Sequence, residues 1–161
     1  MTASSNIDNT EYLQWLEELL VEGKRVHVRV KGMSMFPWLL PRDVVCVQRV
    51  ERSLLTPGRV ILFQGAKGWV AHRLWSTDAK NNLFIPRGDA NLRKDKPLKY
   101  EEIKGIVTGV IHQKLFWSKW SVGNNGLILA KTAAITAPLF WMIGRVAVYL
   151  WKWVRKIKRV E

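Results

Sequence analysis

The spacing of hydrophobic positions changes twice along the chain and divides it into three segments. In residues 1–24 the apolar side chains recur at near-helical spacing, and Gly23 follows them as a stop signal. These positions are Tyr12, Leu13, Leu16, Leu19 and Leu20. Asp8 and Glu11 lie three residues apart, as in a capping arrangement. The pattern therefore predicts a short amphipathic N-terminal helix.

From residue 25 the pattern changes to an alternation with a period of two. Three valines alternate with basic or imidazole side chains over Arg25, Val26, His27, Val28, Arg29, Val30 and Lys31. Further strand candidates, separated by turn signals, are 44–50, 59–64, 69–75, 83–85 and 105–112. Short strands with frequent turns are typical of a compact, mostly β domain, which we place at residues 25–113.

Residues 114–161 form a third, Trp-rich segment. Its mostly apolar stretch at 127–151 is interrupted by Lys131, Pro138 and Arg145, which argues against a simple membrane span. Farther on, the bases of a predicted helix share one face: Arg145, Lys152, Lys156 and Arg159. A basic amphipathic helix of this kind is typical of segments that lie in a membrane interface. The alternative is a helix docked on the β domain with its basic face in water.

The net charge of the 161-residue chain is +13, and it is unevenly distributed. Residues 1–23 carry five acidic side chains and no base, whereas residues 112–161 carry nine bases and one acid. With nine Trp residues, this balance indicates an anionic partner, either a membrane or a nucleic acid. The N-terminal helix is too short for a helix-turn-helix, and the bases of the β domain are scattered along strands, so we favour the membrane surface.

Few residues are available to hold a metal or a cofactor. Cys46 is the single cysteine, which excludes an intramolecular disulfide and a Cys-based zinc cluster. Because it lies among valines in a predicted strand, we expect a buried small residue. His27 and His112 have no partners at ligand spacing, and no Walker-type glycine loop is present. We therefore expect neither a metal nor a cofactor.

Three polar clusters are candidates for chemistry. Ser34 lies in the string GMSMFP at 32–37 and His72 in the string AHR at 71–73. Asp89 lies in the string RGDAN at 87–91, and Asp95 follows it. Taken singly, each cluster has an ordinary structural explanation: a turn serine, a half-buried strand histidine and a turn in which Asp and Asn bond their own backbone.

Taken together and in this order, the strings resemble the Ser–His branch of the type I signal peptidase family. The matching strings also include PRDVV at 41–45, PGRVILF at 57–63 and IKGIV at 103–107. The resemblance implies a signal peptidase/LexA-like β catalytic domain in which Ser34 matches the nucleophile and His72 the general base. Asp95 matches the acid that orients the histidine, and Asp89 matches a second acid that supports the site. Such a set suits hydrolysis, because a serine hydroxyl needs an imidazole to take its proton and a carboxylate to hold the imidazole.

Three departures from the family pattern bear on function. Many members have an oxyanion-donating serine where this chain has Gly32, so backbone N–H groups would stabilise the oxyanion. The family's Gly-Asp pairs are each half kept, as Arg42-Asp43 and Gly58-Arg59. We also expect no N-terminal membrane anchor and no cleavable secretory signal, since no basic stretch followed by an apolar one opens the chain. In this respect the chain resembles the short, unanchored peptidase-like proteins of bacteria.

The resemblance implies a serine endopeptidase that cleaves a leader or signal-like peptide after small residues. Two alternatives stay open: a catalytically silent peptide-binding or membrane-scaffolding protein of the same fold, and a LexA-like DNA-associated regulator. Since the positive-inside rule assigns the basic tail to the cytoplasm, we expect association with the cytoplasmic face of the inner membrane.

Overall fold

The computed structural model describes residues 9–65 and 68–112, together with Ile128. This part of the chain is mostly β, as the alternating pattern predicts. Its helix and strands are α1 (Asn9–Val21), β1 (Val26–Arg29), β2 (Val44–Gln48), β3 (Val60–Gly65), β4 (Gly68–Asp78), β5 (Leu83–Arg87) and β6 (Ile103–His112), with short 3-10 helices at Arg52–Leu54 and Tyr100–Glu102. Asp8 and the predicted C-terminal helix of segment 114–161 lie outside the described residues.

The six strands form a single antiparallel sheet in the order β1-β2-β6-β3-β4-β5. β4 runs farther than its sequence pattern predicts, to Asp78, where the chain turns into β5. The carboxylate of Asp78 accepts hydrogen bonds from the side-chain and backbone N–H groups of Asn81, at 2.8 and 3.2 Å. These bonds hold the pKa of Asp78 below its ordinary value. The turn signal at 78–82 is therefore a hairpin turn built on an aspartate.

The helix α1 ends where the glycine signal predicts. Gly23 has a φ of +80°, a conformation that glycine adopts without a steric penalty. The Gly23 N–H donates to Leu20 O at 3.0 Å, and the Lys24 N–H donates to Leu19 O at 2.9 Å, which is the Schellman pattern. A 2.6 Å ion pair between Glu17 and Lys104 joins α1 to β6. α1 is too short to cross a membrane, and no other helix in the described ranges can do so.

Two hydrophobic clusters lie on opposite faces of the sheet, because successive side chains of a strand point to opposite sides. On β3, Val60 and Leu62 belong to the first cluster, whereas Ile61 and Phe63 belong to the second. The first cluster also includes Leu16 and Leu20, through which α1 packs against this face of the sheet. Its members are Leu16, Leu20, Val26, Met35, Leu39, Val45, Val47, Val60, Leu62, Val107 and Val110.

The environment of Cys46 differs from the prediction. Its neighbours Val45 and Val47 are buried in the first cluster, and the alternation of β2 places Cys46 on the other face, where it is half-buried. The run of valines around Cys46 suggests burial on both faces, but at this position only one face of β2 is fully covered.

Candidate active site

His72 and Asp95 form a direct, part-buried contact. His72 lies in the middle of β4 and is 6 % exposed, and its Nδ1 is 2.6 Å from Asp95 Oδ2. The backbone N–H of Asp95 donates to Pro86 O at 2.9 Å, which holds the loop after β5 against that strand. The Phe63 ring packs edge-on against the imidazole, with 5.9 Å between ring centroids. When Nδ1–H donates to the carboxylate, the lone pair of the imidazole is at Nε2.

The next residue along β4, Arg73, forms a fully buried pair with Asp89. Arg73 is fully buried, and its Nε and Nη2 donate to the two oxygens of Asp89 at 2.9 and 2.7 Å. Its Nη1 also donates to Gly58 O at 2.7 Å. A bidentate pair of this kind fixes both side chains, and each neutralises a charge that is costly to bury unpaired. Asp89 therefore anchors its loop to β4 through Arg73, whereas Asp95 contacts the histidine.

A second guanidinium also faces Asp89. Arg87 lies at the end of β5, opposite Arg73 in the strand register, and its guanidinium carbon is 3.7 Å from the centre of the Trp75 ring. Burial lowers the pKa of Arg87, and the nearby negative charge of Asp89 acts in the opposite direction. The Nε and Nη2 of Arg87 are buried and have no hydrogen-bond partner among the described residues. Trp75 and Asp89 together compensate this buried cation.

The Ser34 loop is attached to the turn that carries Asp89. The Ala90 N–H donates to Ser34 O at 2.8 Å, and a Cβ on Gly88 would lie 2.6 Å from the same oxygen. The close approach of the two segments therefore requires a glycine at position 88. The half-buried Ser34 makes no side-chain hydrogen bond within the described ranges, so its hydroxyl is not in hydrogen-bond contact with His72. The backbone N–H groups of Ser34 and Met35 also donate to no acceptor in these ranges, which makes them available to an oxyanion.

A groove of about 390 Å³ extends from Ser34 between β1 and the first half of β4, with α1 at one side. One wall is formed by the end of β1 and the residue after it, Val28 to Val30, and the wall from β4 includes Trp69 and Ala71. Leu16, Met35, Leu39, Val45 and Leu62 of the first cluster also line it. Ala71 lines this groove, whereas the next residue, His72, points to the opposite face of β4, where it contacts Phe63.

The two pairs that keep one residue of the Gly-Asp pattern, Arg42-Asp43 and Gly58-Arg59, lie in structural turns. Arg42 has a φ of +80°, the conformation in which the family's glycine would carry no penalty. Asp43 is 1 % exposed, and its Oδ2 accepts the Leu40 N–H at 2.9 Å. Gly58 also has a positive φ, of 101°. These residues shape the turn between β1 and β2 and the turn before β3.

The structure brings together two pairs, His72 with Asp95 and Arg73 with Asp89, and it joins Ser34 to the second pair through backbone contacts. The catalytic roles of these residues stay predictions. The sequence alone does not predict that Arg73 pairs with Asp89. The available signal was a base between His72 and Leu74 in a predicted strand, since a buried arginine requires a carboxylate. Within residues 9–65 and 68–112, no group of three His, Cys, Asp or Glu side chains could hold a metal ion.

The contacts and distances given above define the geometry of the site. The motifs that carry the resemblance to the type I signal peptidases lie on β4, on the Ser34 loop and on the turn after β5. Comparison of the chain with protein-family models, with curated proteins and with solved structures found no match, so that resemblance rests on the motifs.

Proposed function

We propose that the protein is a serine endopeptidase of the signal peptidase type, built on a signal peptidase/LexA-like β catalytic domain. Ser34 is the nucleophile, His72 the general base and Asp95 the acid that orients the base. The observation that carries this proposal is the part-buried 2.6 Å contact between His72 Nδ1 and Asp95 Oδ2. That contact is the support a histidine needs to accept a proton from serine at its other nitrogen.

In the proposed reaction the Ser34 hydroxyl attacks the carbonyl carbon of a peptide bond in the groove. His72 Nε2 takes the hydroxyl proton as the Oγ–C bond forms, and the negative charge of Asp95 stabilises the imidazolium. The N–H groups of Ser34 and Met35 stabilise the oxyanion. The tetrahedral intermediate then collapses, the imidazolium protonates the leaving amine, and water hydrolyses the acyl-enzyme by the same steps.

The hydroxyl must move into contact with the imidazole for this reaction. In free enzymes the hydrogen bonds of a catalytic site are often long, and they tighten when substrate is bound. Ser34 and Ala71 line one groove, and His72 follows Ala71 on the other face of β4, so the reaction requires the Ser34 loop or β4 to rearrange until the hydroxyl reaches Nε2. The Arg73–Asp89 pair keeps the opposing turn fixed while this movement occurs.

The substrate is proposed to be a leader or signal-like peptide in extended conformation. The groove runs along β1, which is an edge strand among the described strands and offers main-chain hydrogen bonds to an added strand. Its apolar walls suit small or apolar side chains next to the scissile bond.

The decisive experiment is cleavage of candidate leader peptides by the wild type and by Ser34→Ala. We expect Ser34→Ala to lose cleavage while keeping the wild-type Tm. Ser53→Ala, in the exposed 3-10 helix, is the matched control and should cleave normally. A serine-directed phosphonate should label the wild type at Ser34 and leave Ser34→Ala unlabelled. Cleavage at the wild-type rate by Ser34→Ala would remove the proposal.

The two other hypotheses give different results in the same assays. A silent peptide-binding protein binds the peptides but neither cleaves them nor reacts with the phosphonate. A LexA-like DNA-associated regulator binds DNA with an affinity that falls steeply with salt, because several phosphates are neutralised.

We further propose that the basic segment 114–161 holds the protein at an anionic membrane surface on the cytoplasmic face. The support is in the sequence, which places its bases on one face of a predicted helix. High-salt or carbonate washing should release much of the protein from membranes. Complete resistance to washing would contradict an interfacial attachment.

A further inference from the structure

The groove beside Ser34 carries charge of one sign. Of the described residues that line it, Arg29 and Lys31 are charged, and no acidic side chain lies among these. Both side chains are exposed, and neither forms an ion pair within residues 9–65 and 68–112. The rim of the groove is therefore electropositive above an apolar wall.

The edge of β1 that no other described strand pairs with ends at Arg29, and the chain continues past Lys31. Among the described strands, β1 is at the end of the sheet order. The Val30 N–H donates to Asp43 O and the Val30 C=O accepts the Arg42 N–H, both at 2.8 Å, so the backbone of Val30 is used on the β2 side. Because the hydrogen-bonding direction alternates along a strand, the backbone groups of Arg29 and Lys31 point toward the open side. An extended peptide that joins this edge pairs with these two residues.

Side chains of the added peptide alternate between two faces, as they do along β1. One set points to the apolar side, where Val28 and Val30 line the groove. The other set lies on the side of the exposed Arg29, which alternates with those valines. Opposite charges on neighbouring strands stabilise the pairing, and like charges destabilise it.

We propose that the groove takes an extended peptide in which small or apolar side chains alternate with acidic ones, and that Arg29 and Lys31 select the acidic positions. The inference rests on the proposed peptidase function and names its substrate class. A second copy of the chain is a poorer occupant of the edge, since pairing β1 with itself places rows of bases beside one another.

The experiment uses three peptides with small apolar residues at alternate positions and Glu, Gln or Lys between them. Their binding to Ser34→Ala, and their cleavage by the wild type, are measured at low salt and at high salt. The same series is measured with Arg29→Gln/Lys31→Gln. The control is Lys80→Gln/Lys99→Gln, which removes the same net charge at two exposed positions that do not line the groove. All four positions are exposed, and Tm reports whether each variant folds.

We expect the Glu peptide to bind about 10-fold more tightly than the Gln peptide at low salt, from two cross-strand ion pairs. The preference should shrink at high salt, where charges are screened within a few ångströms. It should disappear in the groove variant and persist in the control. Equal binding of the three peptides, binding of none, or a preference that survives Arg29→Gln/Lys31→Gln overturns the inference, and the wild-type peptide series tests it even if a variant does not fold.

Two further outcomes are distinguishable. If the Glu preference is found but no peptide is cleaved, the acidic-peptide site stands and the peptidase function fails. If Arg29→Gln/Lys31→Gln forms dimers on ultracentrifugation without any change in peptide selection, the bases only keep the β1 edge from pairing with itself, and the inference is wrong.

Discussion

Substitution of Gly88 by alanine tests whether the contact between the Asp89 turn and the Ser34 loop positions the nucleophile. The new Cβ would lie 2.6 Å from Ser34 O and 2.8 Å from Asn91 Nδ2. Ordinary contacts need about 3.5 Å, so the turn and the loop must separate by about 1 Å. The separation strains the packing by about 1–3 kcal/mol and weakens the Ala90–Ser34 hydrogen bond, worth about 1 kcal/mol. We expect the free energy of unfolding to fall by about 2–4 kcal/mol, which lowers Tm by roughly 5–15 °C for a chain of this size.

The same displacement should reduce peptide cleavage about 100-fold, since a shift of about 1 Å at a nucleophile has that effect. Thermal denaturation and single-turnover cleavage measure the two consequences on one preparation. Gly109→Ala on β6 is the control, because a Cβ there meets nothing within 4 Å. A Gly88→Ala protein with the stability and cleavage rate of the wild type would refute the positional role of the contact.

Three other substitutions test separate parts of the site. Asp89→Asn should destabilise the fold by about 3–5 kcal/mol, measured by urea denaturation, because it removes the carboxylate charge that is paired with the fully buried Arg73; a loss below about 1 kcal/mol would contradict this account. Asp95→Asn should reduce kcat about 10⁴-fold with little change in Tm, because an amide favours the wrong tautomer of His72; an unchanged pH–rate profile and kcat would exclude Asp95 from the mechanism. Arg42→Gly should raise the stability by up to about 1 kcal/mol, because it relieves a φ of +80°; a lower Tm would show that the Arg42 side chain matters more than its backbone strain.

The elements of this fold are largely local properties of the chain. The alternation through β1 and the glycine after α1 predict a strand and a helix end, and the structure has both. These predictions succeed because the period of the side chains and the φ of Gly23 depend on a few neighbouring residues. The hairpin turn at Asp78 is predicted for the same reason, since Asp78 bonds residues two and three positions ahead.

The contacts of the site depend on residues far apart in sequence. The motif order suggests that Asp95 serves His72, and the 2.6 Å contact across 23 positions exists because the chain after β5 folds back on β4. Sequence reasoning does not assign Asp89 to Arg73, because neighbouring residues of β4 face opposite sides of the sheet and only the packing shows which acid each side receives. The half-burial of Cys46 has the same origin: its valine neighbours indicate an apolar strand but not which face is covered.

The sequence by itself determined the class of fold, the number of strands in the described domain and the residues that could carry chemistry, because periodicity and motif order are written along the chain. The tertiary structure decided which of those residues meet: it joined His72 to Asp95, paired Arg73 with Asp89, and brought the Gly88 turn against Ser34. Within residues 9–65 and 68–112, it also left β1 at the edge of the sheet beside an apolar groove, with two bases at its rim that form no ion pair there. The physical reason is that hydrogen bonds and ion pairs form between whatever groups the sheet order places together, and that order is a property of the packed chain.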